Sequence, residues 1–299
     1  MKKFCWTAIV IFSAGSYAAE DLSGAFKEGK FEGRLRAHYF VTDWDEKVSA
    51  RGFALGGSML YKTAPLYGLS AGAGFYTTQN PGGWTDEEDG LTANTSKDLF
   101  SRGPGSIYSY GEGYAVLAQS YLQYDLAKTR AKAGRMLMTN PWITPNDTKM
   151  IPIAIEGFEA VSTDLPGTTI QIDYADRIKE RGMSYFGNMA DTGDTPDRIK
   201  QYYTTHYGTG THGDAPGVMV AGLKNRSFKG LELQGWGMHW DDVVDQYMID
   251  AGYTIQIAPL SFNVAGRYIR QNDKGAGNII LPNTNNGDSD NSVDTSLFA

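Results

Sequence analysis

The feature that most constrains the fold of this chain is a period-two alternation of apolar and polar side chains over segments of about ten residues. In the first segment, one face carries Gly33, Leu35, Ala37, Tyr39 and Val41, and the other face carries Arg34, Arg36 and His38. Successive side chains of a strand point to opposite faces, so this pattern predicts an amphipathic β-strand. Comparable segments recur near residues 53–62, 69–76, 118–124, 130–133, 158–162, 170–174, 217–224, 231–238, 246–255 and 260–271. The sequence therefore predicts about eleven strands, and residues 293–299 are typical of the start of another.

The connections between these segments alternate between short turns and long loops. Short turns are predicted near 64–67, 125–128, 225–228 and 258–259, and long loops near 79–113 and 176–216, with one brief link at 241–245. A barrel with turns on one rim and loops on the other has this arrangement, whereas a soluble sandwich has no reason to sort its connections by length. The pattern predicts an all-β fold, a transmembrane antiparallel β-barrel.

The first residues are typical of a secretory leader. Lys2 and Lys3 precede a short apolar run at 4–12, and Ser16-Tyr17-Ala18 is a small-x-small cleavage pattern. Residues 1–18 are therefore predicted to be a signal peptide, leaving 19–299 as one barrel domain. Cleavage would remove Cys5, the one cysteine, and would take the formal charge from -7 to -9 by removing the two lysines. An exported, acidic chain with barrel patterning points to the outer membrane and argues against nucleic-acid binding.

A loop inside the stretch 132–167 differs from the others in composition. Its prolines at 141, 145 and 152 exclude it from a central strand, and its apolar residues include Met136, Ile143 and Ile151. Polar and amphipathic groups lie among them: Trp142, Asn146, Asp147, Lys149 and Glu156. So many apolar groups need a surface to bury against, so we expect Met136 to Glu156 to fold into the bore and narrow it. An ordinary packed loop of a soluble β-protein is the alternative.

A row of basic residues occupies the strand faces opposite the apolar ones. Its members are Arg34, Arg36, Lys62, Arg130, Lys132 and Arg267. A charge facing lipid at mid-depth costs about 2–4 kcal/mol, so the row is predicted to line the lumen. There it would attract and guide anions, or it would pair across the lumen with the acidic set Asp173, Glu232 and Asp250 and merely solvate the bore. Asp147 and Glu156 of the loop are expected to face Arg34, Arg36 and Arg130.

Several residues of the loop region also carry a resemblance. Gly134-Arg135, Pro145, Asp147, Met150-Ile151-Pro152 and Glu156-Gly157-Phe158-Glu159 resemble the constriction-loop region of the OprD-type outer-membrane porins, and residues 31–40 are similar to that family's first strand. The resemblance implies an eighteen-stranded barrel that passes small solutes such as carboxylates and amino acids passively, without enzymatic chemistry or a cofactor. With eleven or twelve strands present, the chain is expected to lack the C-terminal part of such a barrel.

A second class of protein fits the leader and the strands. It is a soluble secreted β-protein that binds or hydrolyses carbohydrate, either a sandwich or a glycosidase with a carboxylate pair. The four histidines have no metal-ligand spacing, and the acidic clusters at 86–89 and 288–294 are either divalent-cation sites of the outer rim or solvated loop tips. The sequence predicts no catalytic residue and no bound metal. The expected partners are small hydrophilic solutes and outer-membrane lipid, and a homo-oligomer is left open.

Overall fold

The protein forms one antiparallel sheet. A computed structural model describes residues 3–13, 19–42, 50–83, 98–101, 111–189, 217–241, 243–273 and 295–298. Its elements are β1 (Lys3–Ser13), α1 (Leu22–Lys27), β2 (Lys30–Thr42), β3 (Ala50–Lys62), β4 (Leu69–Gln79), a 3₁₀ turn (Pro81–Gly83), β5 (Tyr114–Leu126), β6 (Thr129–Met136), β7 (Ala154–Ser162), β8 (Thr168–Lys179), β9 (Gly187–Asn188), β10 (Val218–Asn225), β11 (Leu231–Trp240), β12 (Val244–Ile257), β13 (Leu260–Asp273) and β14 (Thr295–Phe298). Among the described residues, no helix is both long and apolar enough to span a membrane.

The order of strands in the sheet follows the order of the chain. Each strand pairs with its sequence neighbours, except that the two-residue β9 pairs only with β8, so that β8 pairs next with β10. The eleven longer strands from β2 to β13 agree with the eleven predicted from alternation, and β14 is the further strand that the tail predicted. The all-β, antiparallel prediction is confirmed.

The connections at the two ends of the strands differ in length. Short turns connect the strands at one end, which we call the turn rim. They are residues 63–68, 127–128, 163–167, 226–230 and 258–259. The long connections from β4 to β5, from β6 to β7 and from β8 to β10 start at the opposite ends of the strands, the loop rim, where β11 and β12 are joined by the short link 241–243. Helix α1 lies at the turn rim, where the backbone N–H of Ala64 donates to the carbonyl of Ala25 at 2.9 Å.

Burial on the two faces of the sheet is the reverse of that in a soluble protein. Large apolar side chains stand exposed on one face, among them Leu35 (62 % exposed) and Ile249 (59 %). The polar side chains of Arg36, His38 and Gln123 are buried on the other face. We call these the outward and inward faces. An exposed apolar face over many strands is stable only against lipid, because water would penalise every such side chain.

The predicted leader takes part in the sheet. Residues 3–13 form β1, which pairs antiparallel with β2 from Lys3 opposite Thr42 to Ser13 opposite Glu32. The cleavage pattern at 16–18 lies outside the described residues. The chain is tied into the fold from residue 19 onward, because the N–H of Ala19 donates to the carbonyl of Pro65 at 3.1 Å and Asp21 caps α1. Cleavage before Ala19 or Glu20 remains a prediction.

N-terminal sequencing of the protein extracted from outer membranes tests the leader. The first residue should be Ala19 or Glu20, because the small-x-small pattern precedes them. A chain that begins at Met1 would mean that β1 belongs to the mature protein.

The outward face can be tested with one strand. Ile249 and Ile257 are the same residue type on the same face of β12, and they are nearly equally exposed, at 59 % and 58 %. Ile257 lies at the turn rim, whereas Ile249 lies in the interior of the strand. Ile249→Arg should lower the free energy of unfolding by about 2–4 kcal/mol, and Ile257→Arg by about 0–1 kcal/mol, because the cost of a charge against lipid depends on depth. Reversible urea unfolding in lipid vesicles measures both. Equal costs at the two positions would contradict a lipid-facing assignment.

Candidate functional site

Residues 137–153, which we call the inner loop, lie against the inward face of the sheet. Met150 and Ile151 are fully buried in a cluster with inward side chains of β2 to β5, including Phe40 and Tyr76. Met138 is buried in a second cluster, which also holds Trp142 and Ile143 of the loop together with inward side chains of β8, β10 and β11. The loop thus spans between two separate regions of the wall.

One carboxylate of the inner loop meets two guanidinium groups of the wall. Asp147 accepts hydrogen bonds from both Nη atoms of Arg34, and its Oδ1 lies 2.9 Å from Nη1 of Arg36. Arg34 and Arg36 are inward residues of β2, and the Arg36 side chain is only 3 % exposed. Asn146 adopts a positive φ of 44° next to Asp147, a conformation that asparagine tolerates well, and its carbonyl accepts from the N–H of Thr148 at 2.8 Å. This local turn presents Asp147 to β2.

The charge of Asp147 is stabilised by these contacts. Partial burial alone would raise the pKa of its carboxyl, but hydrogen bonds from Arg34 and Arg36 and their positive charges outweigh burial and lower the pKa below its ordinary 3.8. Asp147 is therefore ionised throughout the neutral and mildly acidic range. Lys149, two residues on, lies near His38 of the wall and has no ion pair among the described residues.

The start and end of the inner loop are held by β8. Asn140 donates to Oδ2 of the buried Asp173 at 2.9 Å, and Gln171 donates to the same oxygen and to the carbonyl of Thr139. The Oδ1 atom of Asn140 accepts from two backbone N–H groups, which closes the turn that follows it. At the other end, Nζ of the buried Lys179 donates to the carbonyl of Pro152 at 2.8 Å.

The remaining basic residues pair sideways along the wall rather than across it. Arg130 contacts Asp125 at 2.9 Å, Lys132 contacts Glu159 at 3.7 Å, and Arg267 contacts Asp250 through two nitrogens at 2.7 Å. The partners in each pair stand directly opposite on neighbouring strands. Such cross-strand pairs cancel most of one another's charge. Within the basic row, positive charge in excess thus lies at Arg34 and Arg36, which share one carboxylate, and at Lys62, which has no ion pair among the described residues. Elsewhere, Lys224 and Arg226 likewise share Glu232.

Glu156 was expected to face Arg34, Arg36 and Arg130, but its carboxylate pairs with a different residue. Its Oε2 lies 2.8 Å from Nε of Arg135, its partner on the neighbouring strand β6. This ion pair occupies the Glu156 carboxylate, and the Arg135 guanidinium also lies over the ring of Phe186. Arg130 is likewise occupied by Asp125 near the turn rim, so among the described residues only Arg34 and Arg36 of the expected set meet a loop carboxylate.

Two other described segments at the loop rim, 98–101 and 180–183, contact the inner loop or its cluster, in connections that the sequence predicted to be long loops. Leu99 and Phe100 are fully buried in the same cluster as Met150. Arg181 pairs with Asp98 at 3.0 Å and donates to Oγ1 of Thr148 at 3.2 Å, so it joins both segments to the inner loop. In the sequence, the adjacent apolar residues Leu99 and Phe100 were the feature that could have indicated this packing. The acidic clusters at 86–89 and 288–294 lie outside the described residues. Within the described part, no group of three or more His, Cys, Asp or Glu side chains could hold a metal ion.

Comparison with known proteins decides the family. The model of the outer membrane porin family OprD matches residues 112–299, well over half of the sequence. The chain belongs to the OprD family. Members of this family are outer-membrane porins, which are passive channels rather than enzymes, so a soluble carbohydrate-binding protein or glycosidase is not supported. A search of curated proteins found no match.

Solved porin structures have the same fold. OpdK of Pseudomonas aeruginosa, crystallised with vanillate, is 18 % identical with a TM-score of 0.63, covering 85 % of this chain and 60 % of its own. OccAB3 of Acinetobacter baumannii is 16 % identical with a TM-score of 0.64 over 85 % of this chain and 60 % of its own. OccK8 (OprE) of P. aeruginosa is 16 % identical with a TM-score of 0.61 over 84 % and 56 %. The chain spans about 60 % of the length of the OprD-family structures it matches.

The pH dependence of the Asp147 contact follows from its lowered pKa. A carboxylate with a lowered pKa keeps its stabilising contact above the ordinary 3.8 and loses it as the pH falls through the lower, folded-state value. Hydrogen-exchange protection of residues 145–153, corrected for the intrinsic exchange rate, should be constant between about pH 7 and about pH 5 and should fall only below about pH 4.

Two variants accompany this measurement. Asp147→Asn should lose about tenfold in protection at neutral pH, because it removes a charged hydrogen-bond acceptor. Asp164→Asn, at a turn-rim carboxylate outside the inner loop, is the control and should leave that protection unchanged. A loss of protection in the unsubstituted protein between about pH 7 and about pH 5 would contradict the assignment.

Proposed function

We propose that the protein is an outer-membrane channel for the passive, partly selective diffusion of small hydrophilic solutes, narrowed by the inner loop. The observation that carries this proposal is the contact of Asp147, on the inner loop, with Arg34 and Arg36 on the wall. A charged contact between a loop and the inward face gives a solute both a steric limit and a fixed local field.

The field at this contact favours anionic or zwitterionic solutes. Arg34 and Arg36 share the one carboxylate of Asp147, so the three groups together carry a net positive charge at the inward face. A bore with low-dielectric walls strengthens such a field, which attracts anions and orients a molecule that carries both signs of charge. Because the other wall cations except Lys62 are matched by carboxylates on neighbouring strands, selectivity would be set at this place rather than along the whole row.

Carboxylates and amino acids are the solute classes that fit this charge. OpdK, one of the similar structures, was crystallised with vanillate, an aromatic carboxylate. In this chain, Trp142 of the loop and Trp236 of β11 belong to one cluster at the inward face, so aromatic surface lies in the same region as the loop. A small carboxylate with an apolar body is the solute we favour, and an amino acid is the second choice.

Shortening the inner loop tests the proposal. Residues 140–151 are replaced by a short Gly linker, and single-channel conductance and ion selectivity are measured in planar bilayers. Conductance should rise and selectivity should fall, while the heat-modifiable migration of the folded protein should persist, because strand pairing rather than this loop holds the wall together.

The controls separate size from charge. Asp147→Asn keeps the loop but removes its carboxylate, so the anion preference should increase with little change in conductance. Asp164→Asn removes a carboxylate at the turn rim and should change neither quantity. If the shortened variant inserts and its conductance equals that of the unchanged protein, the loop does not limit the pore.

A further inference from the structure

Helix α1 at the turn rim has an exposed apolar face. Leu22 and Phe26 are 66 % and 58 % exposed, and because they are four residues apart they lie on the same side of the helix. Ser23 and Lys27, which are also exposed and four residues apart, form a separate polar side. Ala25 is buried. The helix is therefore amphipathic, and its apolar side points away from the rest of the protein.

The position of this helix is fixed by hydrogen bonds. A helix of six residues is too short to be stable in water by itself. Oδ1 of Asp21 caps its first turn by accepting from the N–H of Gly24, and the N–H of Ala64, in the turn after β3, donates to the carbonyl of Ala25 at 2.9 Å. The exposed apolar pair is thus held in place by the protein.

The last turn of α1 contacts the outward face of the sheet. The Tyr61 hydroxyl donates to the carbonyl of Phe26. Tyr61 lies two residues after the exposed, outward Met59 of β3, and it stands opposite the exposed Phe31 of β2. Gly29 lies against the same tyrosine, because a Cβ at residue 29 would collide with the Tyr61 ring. An outward side chain therefore connects the lipid-facing surface to the helix.

Outward aromatic residues place this end of the sheet at the boundary between lipid and water. Phe31 lies near the start of β2, at the turn rim, and Tyr124 near the end of β5 stands opposite Leu69 of β4. All three side chains are exposed. Tyrosine is enriched where a membrane-spanning segment reaches the lipid headgroups. Since Tyr61 of the same face bonds α1, the helix lies close to the headgroup level.

The apolar side of α1 has an apolar medium within reach at this level. Leucine and phenylalanine side chains gain free energy when they leave water. The outward face to which Tyr61 belongs is already covered by lipid, so the same leaflet is continuous with the surface on which Leu22 and Phe26 are exposed. A short amphipathic helix in this position can lie in the plane of the interface.

The charges around the helix indicate which lipid it fits. Residues 19–30 contain Glu20, Asp21 and Glu28 but only two lysines, at 27 and 30. Lys30 pairs with Glu32 at 2.8 Å. The segment thus has no surplus of positive charge that would select anionic headgroups, and a zwitterionic phospholipid is sufficient.

From these observations we infer that α1 is an interfacial helix, which inserts Leu22 and Phe26 into the phospholipid leaflet at the turn rim. The short turns of a bacterial barrel face the periplasm, so this is the periplasmic leaflet. The inference concerns how the protein is seated in lipid. It goes beyond the channel function and does not depend on which solute passes.

Spin labels on single cysteines measure the depth of the helix. In a Cys5→Ser background the sequence has no other cysteine, so Leu22→Cys and Phe26→Cys each carry one label whether or not the leader is cleaved. Each labelled protein is reconstituted in phosphatidylcholine vesicles. Power-saturation EPR then compares the accessibility of the label to oxygen, which concentrates in lipid, with its accessibility to a water-soluble nickel complex present on both sides. Labels at 22 and 26 should lie about 5–10 Å below the headgroup phosphates.

Two reference positions accompany these labels. Ser23→Cys, on the polar side of the same helix, is the matched control, and its label should be reached by the nickel complex severalfold more readily than the label at 26. Leu35→Cys, on the outward face of β2, reports a position in lipid. Heat-modifiable migration identifies the labelled variants that are folded, and two separate apolar positions keep the test decisive if one variant does not fold.

The Tyr61 hydroxyl has a positioning role in this arrangement. Tyr61→Phe removes its hydrogen bond to the carbonyl of Phe26, so the label at 26 should become more mobile and shallower. Tyr67→Phe removes the hydroxyl of another exposed tyrosine at the turn rim and should leave both quantities unchanged.

The outcomes distinguish lipid from the other environments of the helix. Labels at 22 and 26 that the nickel complex reaches as readily as the label at 23 would place α1 in water and overturn the inference. Labels shielded from both oxygen and nickel would mean that protein covers this face, either another part of the chain or a second copy, and would overturn it as well. Conductance enters neither readout, so a failure of the channel proposal would leave this result unaffected.

Discussion

The structure depends on one constraint, which is that a chain crossing lipid must satisfy its backbone hydrogen bonds within itself. Each strand from β3 to β8 and from β10 to β12 is paired along both edges, and the pairing follows chain order. Once the ladder supplies this stability, the side chains of the inward face no longer have to form a core. They are free to be charged, and the long connections of the loop rim are free to fold onto them.

Many charged side chains of the wall form ion pairs between neighbouring strands. Pairs such as Lys132 with Glu159 and Arg267 with Asp250 lie directly opposite on adjacent strands, where each carboxylate offsets its neighbour locally. Such a wall is polar and hydrated but has little net field. The charge at Arg34, Arg36 and Lys62 is less fully offset by ion pairs, so the local potential is expected to be more positive near these residues than along the paired part of the wall.

The sequence correctly predicted those features that depend on the alternation and composition of neighbouring residues. Alternation in 33–41 assigned Arg36 to the inward face, and the composition of 136–156 identified a loop that needs a wall. Asp147 was expected to face Arg34, Arg36 and Arg130, and it contacts the first two of them. The face of the sheet on which Glu156 lies could not be predicted. It depends on where β7 begins and on a bulge between Glu156 and Gly157 that the residue types do not predict. Likewise, the sideways ion pairs require strand register, which is fixed by contacts far apart in sequence.

Arg181 has a consequence for how the protein can vary. It ties residue 98, in one loop-rim connection, to residue 148 in the inner loop, and Leu99 and Phe100 are packed beneath it. In bacterial outer-membrane barrels the longer loops are the extracellular ones. Because these segments share contacts with the inner loop, a substitution in them would also alter the packing of the inner loop. We therefore expect the segments of the loop rim and the inner loop to diverge together rather than independently during evolution.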